Sequence, residues 1–188
     1  MYRKSLVALV ASAALLFVLA SGCKKETTEP DDPSIVYNNL QKSIDVVSGI
    51  TGIDSLDLNS DGLGEAIITM VNIGGDTGYV LMNTFNQDIQ FAVSKVAPVP
   101  VGALYEKGST PPLSASSYYP TIYTPLKYSG YREGLLSGEG YLAFRFTTGT
   151  KYQYGWMRVS LNSGFTQFKI LEYAYSVTPD KAIAVGAK

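Results

Sequence analysis

The sequence predicts an all-β fold, an antiparallel β-sandwich or jelly-roll-like single domain set behind an export segment and a flexible tether. Three observations carry this. From Ser43 onward the apolar residues recur with period two instead of a helical period, as in Ile89, Phe91 and Val93 or Leu142, Phe144 and Phe146. The β-rich runs come in pairs joined by glycine-bearing turns. The 188 residues, 46% of them hydrophobic, are enough for one domain with a proper core and too few for two comfortable ones.

The elements follow in chain order. Residues 1–22 read as an export signal: a short basic start with Arg3 and Lys4, an uncharged apolar run from Ser5 to Ala20, then small residues ending at Cys23. Residues 23–36 read as a disordered tether, because Lys25-Glu26-Thr27-Thr28-Glu29-Pro30-Asp31-Asp32-Pro33 is charged, rich in Pro and Thr, and has nothing to bury. The domain is assigned to 37–188. Within Ser34 to Lys42 a helical turn or two is expected. Ala66 to Ile73 and Tyr79 to Phe85 form one predicted hairpin around Gly74–Gly78, and Tyr152 to Leu161 and Phe165 to Tyr175 form another across Asn162-Ser163-Gly164. Between them, Val96 to Arg132 carries six prolines, so it reads as edge strands and long loops.

Composition excludes several functions. A formal net charge of −1 gives no electrostatic footprint for nucleic acid. With no His, the commonest general base and metal ligand are missing, along with every Ser/His or Cys/His arrangement. Any metal must therefore sit on oxygen ligands, which points to Ca²⁺. Asp57-Leu58-Asn59-Ser60-Asp61-Gly62-Leu63-Gly64-Glu65 offers such a set: the side chains of Asp57, Asn59, Asp61 and Glu65, and the carbonyl of Leu63, converge if Gly62 permits a tight turn. The bland alternative is an Asx-rich turn held by its own backbone hydrogen bonds.

Four features resemble known patterns. Leu19-Ala20-Ser21-Gly22-Cys23 resembles the lipobox of bacterial lipoproteins, which implies that Cys23 is acylated and anchors the chain to a membrane. Lys24 and the acidic tract after it loosely resemble the export signals of surface lipoproteins in Bacteroidota, implying the outer membrane or cell surface of a bacterial envelope more than the inner membrane. The loop at 57–65 is similar to the strand–loop–strand calcium loops of FG-GAP-type repeats, with Glu65 in place of the usual Asp and no bidentate acid at Ile68 as an EF-hand would need. It occurs once, so a propeller is not expected. Tyr154-Gly155-Trp156-Met157-Arg158, Glu172-Tyr173-Ala174-Tyr175 and Ala182-Ile183-Ala184-Val185-Gly186 resemble a C-terminal module of secreted bacterial proteins. That resemblance implies an accessory β-sandwich and assigns no activity to any residue.

The expected function is a non-catalytic envelope module that binds a glycan or an envelope protein, with Ca²⁺ as a structural ion. Tyr118, Tyr119 and Tyr123 on the Pro-rich stretch, with Tyr154 and Trp156 on one side of a strand, are the candidate ligand-binding residues. Packing is the competing reading for each of them. Arg158 is expected to stack on aromatics or to pair with Glu172 across the strands. Two alternatives remain open: a structural or assembly role in the envelope, and a two-carboxylate glycan hydrolase drawing on Glu106, Glu133 or Glu139.

Overall fold

The period-two pattern becomes a set of strands in the computed structural model, which describes residues 32–46, 51–59, 61–74, 77–85, 89–95, 101–124, 138–162 and 164–188. In order they are β1 (Ile35–Asn38), β2 (Lys42–Asp45), β3 (Gly52–Leu56), β4 (Ala66–Gly74), β5 (Thr77–Thr84), β6 (Ile89–Lys95), β7 (Val101–Gly102), β8 (Leu104–Tyr105), β9 (Tyr118–Tyr119), β10 (Thr121–Thr124), β11 (Gly138–Thr148), β12 (Lys151–Leu161) and β13 (Gln167–Ser176). One 3-10 turn over Ala115–Ser117 is the helical element among the described residues. The export signal, Cys23, Glu133 and most of the tether lie outside the described residues.

The strands make an antiparallel β-sandwich. The first sheet runs β6-β11-β12-β13, with β1 and β2 end to end along the far edge of β13. The second runs β3-β4-β5-β10-β7 and joins the first through β6, which pairs with β11 at Ile89–Phe91 and with β7 at Val93 and Lys95. Among the described residues a single parallel bridge, Tyr123 to Val101, interrupts the antiparallel pattern. Leu56, Ile68, Met70, Val80 and Met82 of the second sheet meet Phe91, Phe144, Met157, Phe168 and Tyr173 of the first in one interior cluster. Both predicted hairpins form: β4 pairs with β5 from Ala66↔Thr84 to Gly74↔Thr77, and β12 pairs with β13 from Gly155↔Tyr175 to Leu161↔Phe168. Asn162 closes the second turn by accepting hydrogen bonds from the backbone N–H groups of Thr166 (2.9 Å) and Gln167 (3.0 Å).

Two expectations need correction. Ser34 to Lys42 forms no helical turn; it supplies β1 and the start of β2. Ile35, Val36 and Tyr37 are β-branched or aromatic, and the edge of β13 gives them ladder partners that an isolated turn would lack. The folded body also reaches further back than residue 37, since Ser34 O accepts from Val177 N–H at 2.8 Å and Asp32 N–H donates to Lys188 O at 3.1 Å. Between β1 and β2 the edge bends at Gln41, at φ 52, whose N–H and side-chain amide both reach Leu171 O at 3.0 Å. Leu171 is the extra residue of a bulge, because Arg158 faces Glu172 while Val159 faces Ile170. The bulge is why Phe168, Ile170 and Tyr173 all reach the interior, a spacing strict alternation would not give.

The first sheet is covered on its outer face as well. Leu142, Ala143, Phe144 and Arg145 are four consecutive buried residues of β11, so both alternations are shielded there. Ala92, Tyr118, Ala143 and Tyr154 form one outer cluster, and Trp156, Ala174, Ile183 and Val185 form another. The segment from Ala103 to Tyr119 and the chain after Ser176 supply this second layer. It positions everything discussed next.

Candidate functional site

The loop between β3 and β4 is built from both ends. Leu56 and Leu58 are buried and fix its entrance, and Glu65 N–H donates to Leu56 O at 2.8 Å to close its base. Tyr173 on β13 donates its hydroxyl to Leu58 O at 3.0 Å and accepts from the Asn38 amide at 3.1 Å, tying the loop to the other sheet. Gly62 takes φ +86, a left-handed conformation costly for a residue with a Cβ, so the glycine is required for the turn. Backbone N–H groups then fill the interior of the loop. Leu58 N–H donates to Glu65 at 2.7 Å, Gly62 N–H to Asp57 at 2.9 Å, and Leu63 N–H to Asp61 at 2.8 Å.

This brings Asp57, Asp61 and Glu65 together with one carboxylate oxygen of each within 4.8 Å of the others. Oxygens bound to Ca²⁺ at about 2.3–2.6 Å lie at most about 5 Å apart across the ion, so the spacing fits that coordination shell. Asn59, though exposed, is tied to this set, donating from its amide to Asp61 at 3.0 Å and accepting from Asp61 N–H at 2.9 Å. Leu63 projects its side chain to solvent, leaving its backbone as the part that faces the loop chemistry. Burial pushes the Glu65 carboxyl above its ordinary range; the Leu58 N–H works against this, and the charges of Asp57 and Asp61 add to it. The same side chains also fit the Asx-turn reading, since each carboxylate accepts a hydrogen bond from the loop's own backbone.

The aromatic candidates divide. Tyr118 and Tyr154 meet edge-to-face at 5.9 Å between ring centroids in the outer cluster, and the Tyr154 hydroxyl donates to Leu113 O at 3.2 Å. Trp156 is fully buried beneath Ile183 and Val185, with its ring N–H donating to Ala187 O at 3.2 Å and Tyr141 against it at 5.6 Å. It is therefore a packing anchor and presents no stacking face. Tyr119 packs against the interior cluster, and Tyr123 takes the register position opposite Leu81 on β10. Tyr118, Tyr119, Tyr154 and Trp156 do not form one platform: Tyr118 and Tyr154 share one outer cluster, Trp156 lies in another, and Tyr119 packs toward the interior.

Arg158 does pair with Glu172, through Nε at 2.9 Å, and also with Glu139, through Nη1 at 2.7 Å. Lys188 adds a second cation on Glu172 at 3.0 Å, and the Tyr37 hydroxyl donates a short hydrogen bond to the same carboxylate. Sequence reasoning missed Arg145, Gln90 and Tyr152, which share this outer face. The signal was present: once the β11–β12 turn is fixed at Thr148 and Lys151, parity alone sets Arg145 opposite Tyr154.

Tyr118 gives a direct test of the outer layer. Its hydroxyl is sealed from solvent and has no hydrogen-bond partner among the described residues, and burial pushes its ionisation far above the usual phenol range. Tyr118→Phe removes an unpaired polar group and is expected to raise stability by about 1 kcal/mol in urea melts. A loss of that size instead would mean the hydroxyl is bonded.

Fold and loop together define a class, an antiparallel β-sandwich with one acidic strand-to-strand loop and a covered tyrosine face. No protein-family model, curated protein or solved structure matches the chain.

Proposed function

We propose that the protein is a non-catalytic envelope lipoprotein whose sandwich is an accessory binding module for a glycan or protein partner, stiffened by one structural Ca²⁺ in the 57–65 loop. The observation that carries the calcium part is the convergence of Asp57, Asp61 and Glu65, three acids of one loop within 4.8 Å. Such a set repels itself, and a divalent cation of matching size turns that repulsion into binding. Asp57, Asn59, Asp61, Glu65 and the Leu63 carbonyl would hold the ion. It would join the ends of β3 and β4 and perform no chemistry. The lipobox-like segment ending at Cys23 supports the anchor, and the acidic tract after it supports the outer membrane or cell surface. The absence of His and the low net charge support a module without catalysis and without nucleic-acid binding.

The hydrolase reading gains little support. Its general acid must keep a proton near neutrality. Glu172 is held below the ordinary carboxylate range: burial opposes this, but the hydrogen bonds from Tyr37 and Lys188 and the charges of Arg158 and Lys188 outweigh it. Of the candidates themselves, Glu139 pairs with Arg158, Glu106 is exposed, and Glu133 lies outside the described residues.

Melting of residues 24–188 with calcium or with chelator tests the proposal. A site that binds only the folded chain stabilises it by about 1.4 kcal/mol at tenfold excess over the Kd, and the midpoint rises accordingly. Asp61→Ala is expected to abolish that rise. Equal midpoints with calcium and chelator would reduce the loop to an Asx turn. A further rise with one member of a polysaccharide panel would identify the ligand class, and none would point to a protein partner or an assembly role.

A further inference from the structure

Two arginines on the outer face of the first sheet are treated differently. Arg158 has a carboxylate on each side, Glu139 and Glu172. Arg145 is only 3% exposed and meets no carboxylate among the described residues. Its Nε and Nη2 both donate to one neutral acceptor, Gln90 Oε1, at 2.9 and 2.5 Å. The rings of Tyr152 and Tyr118 lie against the guanidinium, 3.9 and 4.6 Å from Cζ to the ring centroids. Asp180, the acid that reaches Tyr152, spends its oxygen on the Tyr152 N–H at 3.0 Å.

A buried guanidinium without a counter-charge is costly, and two ring faces and one amide offset only part of that cost. An uncharged side chain would fill the place at lower cost. The open part of the group is identifiable. Nε and Nη2 are taken up by Gln90, and Nη1 has no hydrogen-bond partner among the described residues, so the Nη1 edge is the part of the guanidinium left for a further acceptor.

We propose that this edge is a subsite for the carboxylate of an acidic saccharide. A planar carboxylate matches the guanidinium fork and supplies the missing charge. The half-buried Tyr152 ring lies on the guanidinium through one face, and an aromatic ring beside a charged group suits a pyranose better than an extended peptide. The proposal rests on the binding-module reading and specifies the charge of the ligand.

The test uses the full chain in detergent and a matched pair of probes, oligogalacturonate and its methyl ester, which share every sugar contact and differ in charge. Titration calorimetry is expected to show the acid binding at least about tenfold tighter than the ester, and weakening as salt rises. Arg145→Lys, which keeps the charge and loses the fork, is expected to lose about tenfold for the acid alone. The acid–ester comparison needs no variant, so a misfolded Arg145→Lys leaves it intact. Equal binding of acid and ester would overturn this inference and leave the binding module standing. Binding of a neutral glucan without either probe would do the same. A peptide C-terminal carboxylate bound as tightly as the uronate would replace the saccharide with a protein ligand and also overturn it. If no carbohydrate or peptide binds, both readings fall.

Discussion

Gly155→Ala is expected to cost at least about 3 kcal/mol and to lower the melting midpoint by roughly 10 °C. Gly155 lies in β12 between two strands and under an aromatic ring. A Cβ there would sit 2.5 Å from Ala174 O on β13 and 2.5 Å from Cζ of Phe144 on β11. The first contact is with ladder backbone, which cannot yield without breaking the β12–β13 pairing. The second is with a fully buried ring in the interior cluster, which has no empty space to rotate into. Gly164→Ala is the control, because its nearest neighbour would be Thr166 Oγ1 at 4.0 Å. Circular dichroism melts of the two variants should therefore separate widely. A Gly155→Ala protein that melts within about 2 °C of the parent would refute the packing described for this strand.

Glu172→Gln is the second large effect, expected at about 2–3 kcal/mol near neutral pH. Glu172 is 7% exposed and holds Arg158, Lys188 and the Tyr37 hydroxyl at once. The amide keeps the shape and removes the charge, so both cations lose their shared anion while Arg158 retains Glu139. The partner cations reach solvent, which keeps the effect below that of a fully buried pair. Its pH dependence has a definite sign. The folded-state pKa of Glu172 lies below the ordinary value, so its stabilisation is complete above the unfolded value of about 4.3. It is lost as pH falls through the lower folded value. Parent and variant should differ most near pH 7 and converge in acid. Parallel stability curves across that range would show that Glu172 acts through packing alone.

Both predictions concern residues visible as a pattern in the sequence before their reason was. Tyr154-Gly155-Trp156-Met157-Arg158 reads as a strand with Tyr, Trp and Arg on one side, and it is one. The pairing of Arg158 with Glu172 was legible because two adjacent strands of opposite direction bring such residues face to face. The acidic loop was legible for a different reason: its carboxylates and its left-handed glycine belong to one short segment, so spacing alone brings them together. Ser34 to Lys42 was misread because its conformation depends on a partner more than a hundred residues away. In isolation Asn38, Asn39, Leu40 and Gln41 suit a turn, and only the edge of β13 draws Ile35–Asn38 into a ladder.

The sequence by itself determined that the described body is all-β and antiparallel, where its two main hairpins turn, and which acids share one loop. These follow from local periodicity, turn chemistry and short spacing. The tertiary structure alone decided that the first sheet is covered on both faces. This buries Trp156 as an anchor, divides the candidate tyrosines between clusters, and leaves Arg145 beside Tyr118 and Tyr152 without a carboxylate partner among the described residues. Alternation along a strand states which residues share a face. What covers that face is set by segments distant in the chain, here the stretch from Ala103 to Tyr119 and the residues after Ser176, and no local pattern encodes that contact.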